Sequence, residues 1–156
     1  MMKIFIGCID KSGTEQKLIR SIERNCRGTI HITMLRQQDI GSAKFVVPQE
    51  CGYKGRAIYI QSDYVLRGDL HDLLDIIPRN GLALHPLIAY RTEVLVFDCQ
   101  NFSLQWWPGW DELGSWTEKD YIAELMKNQK ICFGRWPEWN RDRLTEDAKL
   151  YCASER

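Results

Sequence analysis

GYKGRAIYIQSDYVLRGDL, residues 52–70, contains the strand on which the fold depends. The apolar run AIYI at 57–60 follows turn residues and leads directly into the polar triplet QSD at 61–63. A short apolar run bounded in this way predicts a buried strand of a parallel sheet. Asp69 predicts the N-cap of a short helix that ends before Pro78. A strand suited to burial therefore ends on an acid.

Strands and helices alternate along the chain. The pattern predicts strands at 3–8, 29–35, 57–60, 82–84 and 94–97, and helices at 15–25 and 118–127. This alternation predicts an α/β fold, a Rossmann-like domain with a mostly parallel central sheet flanked by helices. The sequence shows no repeat, low-complexity tract or linker, so we expect a single domain over residues 1–156.

Composition limits the class of function. Lys plus Arg and Asp plus Glu number 21 each, so no basic excess points to nucleic acid or to a membrane surface. The N-terminal apolar run is too short for a signal peptide or a membrane span. The six cysteines show no paired or zinc-like spacing. We therefore expect reduced thiols and a cytoplasmic protein, with an extracellular disulfide framework as the alternative.

The triplet at 61–63 lies where an open parallel sheet binds its ligands, outside the carboxyl ends of the strands. A carboxylate buried there needs a partner, because desolvating an unpaired charge is costly. A metal ion, a cationic residue or a sugar hydroxyl would each serve. An interpretation of equal weight is a solvated loop acid at Asp63 that pairs with Arg56 or Arg67.

The stretch also resembles a known family. YKGRAIYIQSDYVLRGDLHDL is similar to the central segment of GT-A-fold glycosyltransferases related to glycogenin and to bacterial galactosyl- and glucosyltransferases. Four more segments match that family in order: KIFIGCID, SAKFVVPQ, EVLVFDCQNF and WPEWN. Together the matches span about Lys3 to Asn140, and five weak matches in the right order are more specific than any one of them.

The resemblance implies a donor site for a nucleotide-diphosphate sugar. The residues that it assigns to donor binding are Gly7, Asp10, Lys44, Gln61, Ser62 and Asp63. The family holds Mn²⁺ or Mg²⁺ with an Asp-x-Asp motif, in which Asp63 takes the second position and Gln61 replaces the first acid. We therefore expect weaker metal binding at Asp63 than in the family, with metal-free donor binding as an alternative. Cys152 stands where the family has a third ligand, a histidine, and is more simply interpreted as a tail residue.

The same resemblance suggests catalytic and acceptor residues. Asp120 stands where the family contacts the donor sugar, and Glu93 is a second candidate beside that sugar; the alternatives are a helix cap and a surface acid. Tryptophans offer ring faces to an acceptor sugar, and the residues concerned are Trp106, Trp107 and Trp110. The competing interpretation places at least two of four tryptophans in a hydrophobic core, the four being these three and Trp116.

The sequence thus predicts a glycosyltransferase that moves a sugar from a nucleotide-diphosphate sugar to a glycan, lipid or protein acceptor. Members of the family are usually longer, and this chain lacks one motif acid. An alternative is therefore a catalytically degenerate GT-A domain that binds a nucleotide or sugar, or that serves as a protein-interaction module. A third possibility is an α/β nucleotide-binding protein with no role in sugar transfer.

Overall fold

A mixed sheet forms the centre of the molecule. The computed structural model of the chain describes residues 1–8, 14–35, 43–77, 82–84, 92–109, 115–133 and 136–153. Within these residues the sheet has six strands: β1 (Met2–Gly7), β2 (Ile30–Leu35), β3 (Arg56–Gln61), β5 (Leu82–Leu84), β6 (Val94–Asp98) and β7 (Ile131–Phe133). A separate antiparallel pair joins β4 (Tyr64–Leu66) to β8 (Leu150–Cys152).

Four α-helices lie in the described part of the chain: α1 (Glu15–Asn25), α2 (Val47–Glu50), α3 (Leu70–Ile76) and α4 (Glu118–Lys127). Single 3₁₀ turns occur at Lys44–Val46, Cys99–Asn101 and Pro137–Trp139. The helices predicted at 15–25 and 118–127 are observed with those bounds. Asp69 caps α3, as predicted, because its side chain accepts a hydrogen bond from the backbone N–H of His71.

The strand order β2-β1-β3-β6-β5-β7 confirms the predicted α/β class. Strands β1, β2 and β3 are mutually parallel, and β5 is parallel to β7. Strand β6 runs antiparallel to both of its neighbours, so its N-terminal end meets the carboxyl end of β3. The sheet is therefore mostly parallel, with one reversed strand beside the edge at which ligands are expected.

Each face of the sheet carries its own apolar core, because successive side chains of a strand point to opposite faces. On β3, Ile58 and Ile60 pack with Leu18 and Ile22 of α1, all four fully buried. Burying side chains of this kind stabilises the fold by roughly 1.5–3 kcal/mol each. The other face is largely aromatic, with members that include Phe5, Phe45, Tyr59, Phe97, Trp107 and Tyr121.

Two further features bear on the sequence predictions. Among the described residues, cysteines 8, 26, 51, 99 and 152 form no disulfide. Among the described helices, none is long and apolar enough to cross a membrane.

Candidate functional site

The carboxyl ends of β1 and β3 meet at one edge of the sheet. The backbone N–H of Ser62 donates to the carbonyl of Gly7 at 2.9 Å. The N–H of Gln61 donates to the carbonyl of Glu93 at 2.9 Å, at the start of the reversed strand β6. The structure therefore brings together four of the predicted site residues through their backbones: Gly7, Gln61, Ser62 and Glu93.

Asp63 is buried at this edge, with 6% of its surface exposed. Gln61 Nε2 donates to Asp63 Oδ1 at 3.2 Å, and Cys152 Sγ donates to Asp63 Oδ2 at 3.4 Å. The arginine partners of the alternative interpretation are engaged elsewhere. Arg56 donates to carbonyls of Leu74 and Ile77 from the opposite end of β3, and Arg67 donates to the carbonyl of Thr145.

Cys152 reaches Asp63 because β8 pairs with β4. In this antiparallel ladder Tyr64 lies opposite Cys152, and the N–H of Ala153 donates to the carbonyl of Asp63 at 2.7 Å. Cys152 is 2% exposed. The interpretation of Cys152 as a tail residue is therefore wrong. Each of these strands has only three residues, which is too short for a recognisable alternating pattern.

A second polar cluster lies on the aromatic face beside this edge. The ammonium of Lys44 donates to the carbonyl of Thr92 at 3.2 Å, to its hydroxyl at 2.8 Å and to Glu118 Oε1 at 2.9 Å. The Thr92 hydroxyl also donates to Glu118. Since Glu93 follows Thr92 and its carbonyl accepts from Gln61, this cluster adjoins the contacts of Asp63 through the Thr92–Glu93 peptide bond.

Glu118 is the acid of α4 that lies in this cluster, and sequence reasoning missed it. Asp120, the predicted catalytic acid, instead completes a capping box: Asp120 Oδ2 accepts from the N–H of Thr117 at 2.7 Å, and Thr117 Oγ1 accepts from the N–H of Asp120 at 3.2 Å. The hydrogen bond from the Thr117 backbone is the main cause that lowers the pKa of Asp120, and the hydrogen bond to the Thr117 side chain lowers it further. The sequence signal for Glu118 was its place at the first position of the same helix.

Gly7 and Tyr59 are matched to each other. A Cβ on Gly7 would overlap the hydroxyl and the ring end of Tyr59, so only glycine fits beneath that ring. Tyr59 is fully buried, and the Lys44 ammonium lies 5.5 Å from its ring centroid. Burial, followed by the nearby charges of Glu118, Cys8, Glu93 and Asp63, raises the pKa of Tyr59 far above its usual value. The Tyr59 hydroxyl is therefore neutral at physiological pH.

Three of the described tryptophans belong to the aromatic cluster beside Lys44 and Glu118: Trp106, Trp107 and Trp116. Trp107 is 1% exposed and donates its indole N–H to the carbonyl of Phe45 at 2.7 Å. The ring of Phe45, next to Lys44, stacks on Tyr121 of α4 with centroids 4.5 Å apart. Trp107 thus packs in the core, as the competing interpretation predicted, and has no free face for a sugar. Trp106 is half-buried against Phe102.

Two predicted residues, Asp10 and Trp110, lie outside the described residues. Next to Asp63 the structure has a cavity of about 100 Å³. Its walls are Thr14, Lys17, Asp63, Tyr64, Val65 and Ala153. The cavity therefore extends the candidate site toward the first turn of α1.

Neither a protein-family model nor a curated protein matches the sequence. Solved structures match its fold. The apo glycosyltransferase GlyE of Streptococcus pneumoniae TIGR4 has a TM-score of 0.66 at 12% identity, over 99% of this chain and 55% of that chain. The bifunctional glycosyltransferase WbbM has a TM-score of 0.68 at 12% identity, over 99% and 46%. The galactosyltransferase LgtC, in complex with donor and acceptor sugar analogues, has a TM-score of 0.60 at 10% identity, over 97% and 86%.

This chain has the GT-A fold. The fold of nearly the whole chain therefore agrees with the resemblance of its sequence segments to GT-A glycosyltransferases. The chain spans about half the length of the GlyE and WbbM chains, 55% and 46% respectively. Identities of 10–12% establish the fold and leave the reaction to be argued from this chain's own residues.

The GT-A resemblance implies Mn²⁺ or Mg²⁺ at Asp63, and the residues around Asp63 test that implication. Both ions are hard cations that take about six oxygen ligands, and in phosphate-binding sites the protein usually supplies one or two carboxylates among them. In the described ranges no three His, Cys, Asp or Glu side chains are placed to hold an ion together. Two side chains that donate to the Asp63 carboxylate are the Gln61 amide and the Cys152 thiol, a soft group. This donor set does not fit the Asp-x-Asp metal site that the resemblance implies, because neither neighbour adds a second carboxylate to Asp63.

Proposed function

We propose that this chain is a glycosyltransferase that transfers a sugar from a nucleotide-diphosphate sugar to an acceptor hydroxyl. One observation carries the proposal: in a chain with the GT-A fold, two sets of polar contacts adjoin at the carboxyl edge of β3. One set links Asp63, Gln61 and Glu93, and the other links Thr92, Lys44 and Glu118. Open α/β sheets bind their ligands at this edge. Glycosyltransferase structures with the same fold support the choice of reaction.

The two ends of the edge suit two parts of the donor. Gly7, Gln61, Ser62 and Asp63 present backbone groups and short polar side chains, which suit ribose and diphosphate. Lys44 and Glu118 form a buried-to-exposed ion pair, with side chains 5% and 43% exposed. The exposed part of Glu118 suits the hydroxyls of the donor sugar, or the positive charge that grows on the sugar as its bond to phosphate breaks.

The acceptor hydroxyl must lose a proton as it attacks. Glu93 immediately precedes β6 and lies between the two ends of the edge. Its carbonyl accepts from the N–H of Gln61, and the carbonyl of the preceding residue, Thr92, accepts from Lys44. We propose that Glu93 or Glu118 accepts this proton and that Asp120 caps α4. A carboxylate at hydrogen-bond distance from the attacking hydroxyl is the usual requirement for such a base.

Calorimetric titration with UDP- and GDP-sugars tests the proposal. We expect one of these donors to bind, and an Asp63→Ala variant to bind about tenfold more weakly, since a lost hydrogen bond to a charged group is worth about that factor or more. Asp75→Ala is the matched control and should bind as the wild type does, because Asp75 is an exposed acid of α3 next to Leu74, whose carbonyl binds Arg56 at the opposite end of β3. If no nucleotide sugar binds to the folded protein, the proposal falls.

A second candidate is a donor-binding module without turnover. It is favoured by the thiol and amide that occupy both carboxylate oxygens of Asp63. Mass spectrometry of a donor incubated with the protein, with and without simple sugar acceptors, separates the two. Release of nucleoside diphosphate identifies a transferase, whereas tight binding with an intact donor identifies the module.

A further inference from the structure

The hydrogen bonds of Asp63 differ from those of a carboxylate that is free to hold a metal. Oδ1 accepts from the amide of Gln61, and Oδ2 accepts from the thiol of Cys152. Both oxygens are therefore already hydrogen-bonded to protein donors. Neither donor brings a second carboxylate to Asp63, so these contacts supply one negative charge, where a hard divalent cation is usually held by one or two carboxylates together with phosphate oxygens.

The backbone fixes both donors in place. Gln61 ends β3 in register with Gly7 of β1, and its N–H is bound to Glu93. Cys152 lies in the β4–β8 ladder opposite Tyr64, and the next N–H along the chain binds the carbonyl of Asp63. The two ladders thus place the backbone of Gln61 and Cys152 beside Asp63, and the buried Cys152 side chain donates to it from within the β4–β8 pair.

A donor diphosphate nevertheless needs positive charge close to it, because the leaving group is anionic. Lys44 is committed to Glu118 and Thr92. Lys17 is different: it is exposed, it lies in the first turn of α1, and it lines the same cavity as Asp63. An ammonium on a flexible stem binds phosphate oxygens as a point charge.

We propose that this site binds its nucleotide-sugar donor without a divalent cation. In this arrangement Gln61 and Cys152 hold Asp63 as an acceptor for a ribose or sugar hydroxyl, and Lys17 supplies the positive charge beside the diphosphate. The inference rests on the proposed function, since it concerns how that donor is bound.

The first test compares donor affinity by calorimetry in EDTA and in manganese chloride. Affinities that agree within about threefold in the two conditions support metal-free binding. Affinity more than about threefold higher in manganese overturns it while leaving the transferase proposal intact. An absence of binding in both conditions, with the protein folded by circular dichroism, overturns the transferase proposal and this inference together.

The second test adds the ligands that the described site lacks. The double variant Gln61→Asp/Cys152→His introduces a second carboxylate and an imidazole at the two positions that adjoin Asp63, which are ligand types suited to hard or borderline cations. We expect manganese to raise the donor affinity of this variant at least tenfold, and manganese alone to raise its melting temperature. A variant that is folded and gains neither effect would show that Gln61 and Cys152 do not account for metal independence.

The third test concerns Lys17. Lys17→Ala should weaken donor binding in EDTA about tenfold, the order expected for one charge-assisted contact, and Lys17→Arg should restore it to within about threefold. Arg24→Ala is the matched control, because Arg24 is also an exposed cation of α1 but lies about 10 Å further along the helix. Equal affinities for wild type, Lys17→Ala and Arg24→Ala would remove Lys17 from the proposal.

Discussion

The ammonium of Lys44 lies 2.9 Å from Oε1 of Glu118, which is 74 positions away in the sequence. The side chain of Lys44 is 5% exposed, so its charge depends on the partners that the fold supplies. Phe45 stacked on Tyr121 joins the 3₁₀ turn that carries Lys44 to the helix that carries Glu118. The aromatic face therefore sets the geometry of a charged pair at the sheet edge.

Glu118→Gln should impair the proposed reaction much more than Asp120→Asn. The amide keeps the size of the Glu118 side chain but removes the charge that pairs with Lys44 and faces the donor, so we expect kcat/KM or donor affinity to fall at least tenfold. Asp120→Asn keeps a side chain that can cap α4 and should stay within about twofold. Donor titration and product formation are measured side by side.

Thermal melts of both variants provide the control for that comparison. Both should remain folded, because Glu118 is partly exposed and Asp120 is a surface cap. A larger loss from Asp120→Asn than from Glu118→Gln would return the catalytic assignment to Asp120 and contradict the placement argued from the structure.

Asp69 should make the protein sensitive to acid. Burial raises the pKa of Asp69, but hydrogen bonds from the backbone and ring of His71 and from Arg27 outweigh burial and hold it well below its usual range. Because the pKa of Asp69 is lower in the folded state than in the unfolded state, where it is about 3.9, the ionised carboxylate stabilises the fold above that pH. This stabilisation is lost as the pH falls below about 3.9 toward the folded-state pKa. Urea unfolding between pH 7 and pH 2 should show that the free energy of unfolding falls with pH in the wild type, and falls less in Asp69→Asn.

The matched pair Asp69→Asn and Asp69→Ala separates charge from capping. Asn still caps a helix, so at pH 7 only Ala should lose the N-cap contribution, about 1 kcal/mol of the free energy of unfolding. If the free energy of unfolding falls equally with pH in the wild type and in both variants, Asp69 does not contribute to the loss of stability in acid.

Much of the fold could be predicted from the sequence because its signals are local. Amphipathic spacing gave α1 its bounds, and an acid before an apolar run gave the cap at Asp69. The contacts of Cys152 and Glu118 could not be predicted, because they depend on three-residue strands and on partners 89 and 74 positions away. Periodicity likewise gave no means of choosing between Glu118 and Asp120, two residues apart at the start of one helix.

Gly7→Ala should destabilise the protein through Tyr59. The added Cβ would meet the hydroxyl and ring end of Tyr59, and overpacking of this kind costs about 1–3 kcal/mol. In a Tyr59→Leu background the same substitution should cost much less, because the ring end is gone. A double-mutant cycle from urea unfolding measures the coupling, and additive effects of the two substitutions would contradict it.

Trp107→Phe should lower both the free energy of unfolding and the donor affinity. Trp106→Phe should lower each of them by less. Phe at position 107 leaves the carbonyl of Phe45 without its indole donor in a buried site, which costs about 1–3 kcal/mol before any cavity is counted. Since Phe45 adjoins Lys44, the loss should also loosen the Lys44–Glu118 pair and reduce donor affinity several-fold. Trp106 is half-buried against Phe102, so its replacement should change the free energy of unfolding by less. Urea unfolding and donor titration of the two variants check this order, and equal stability losses would show that the aromatic cluster does not act through Phe45.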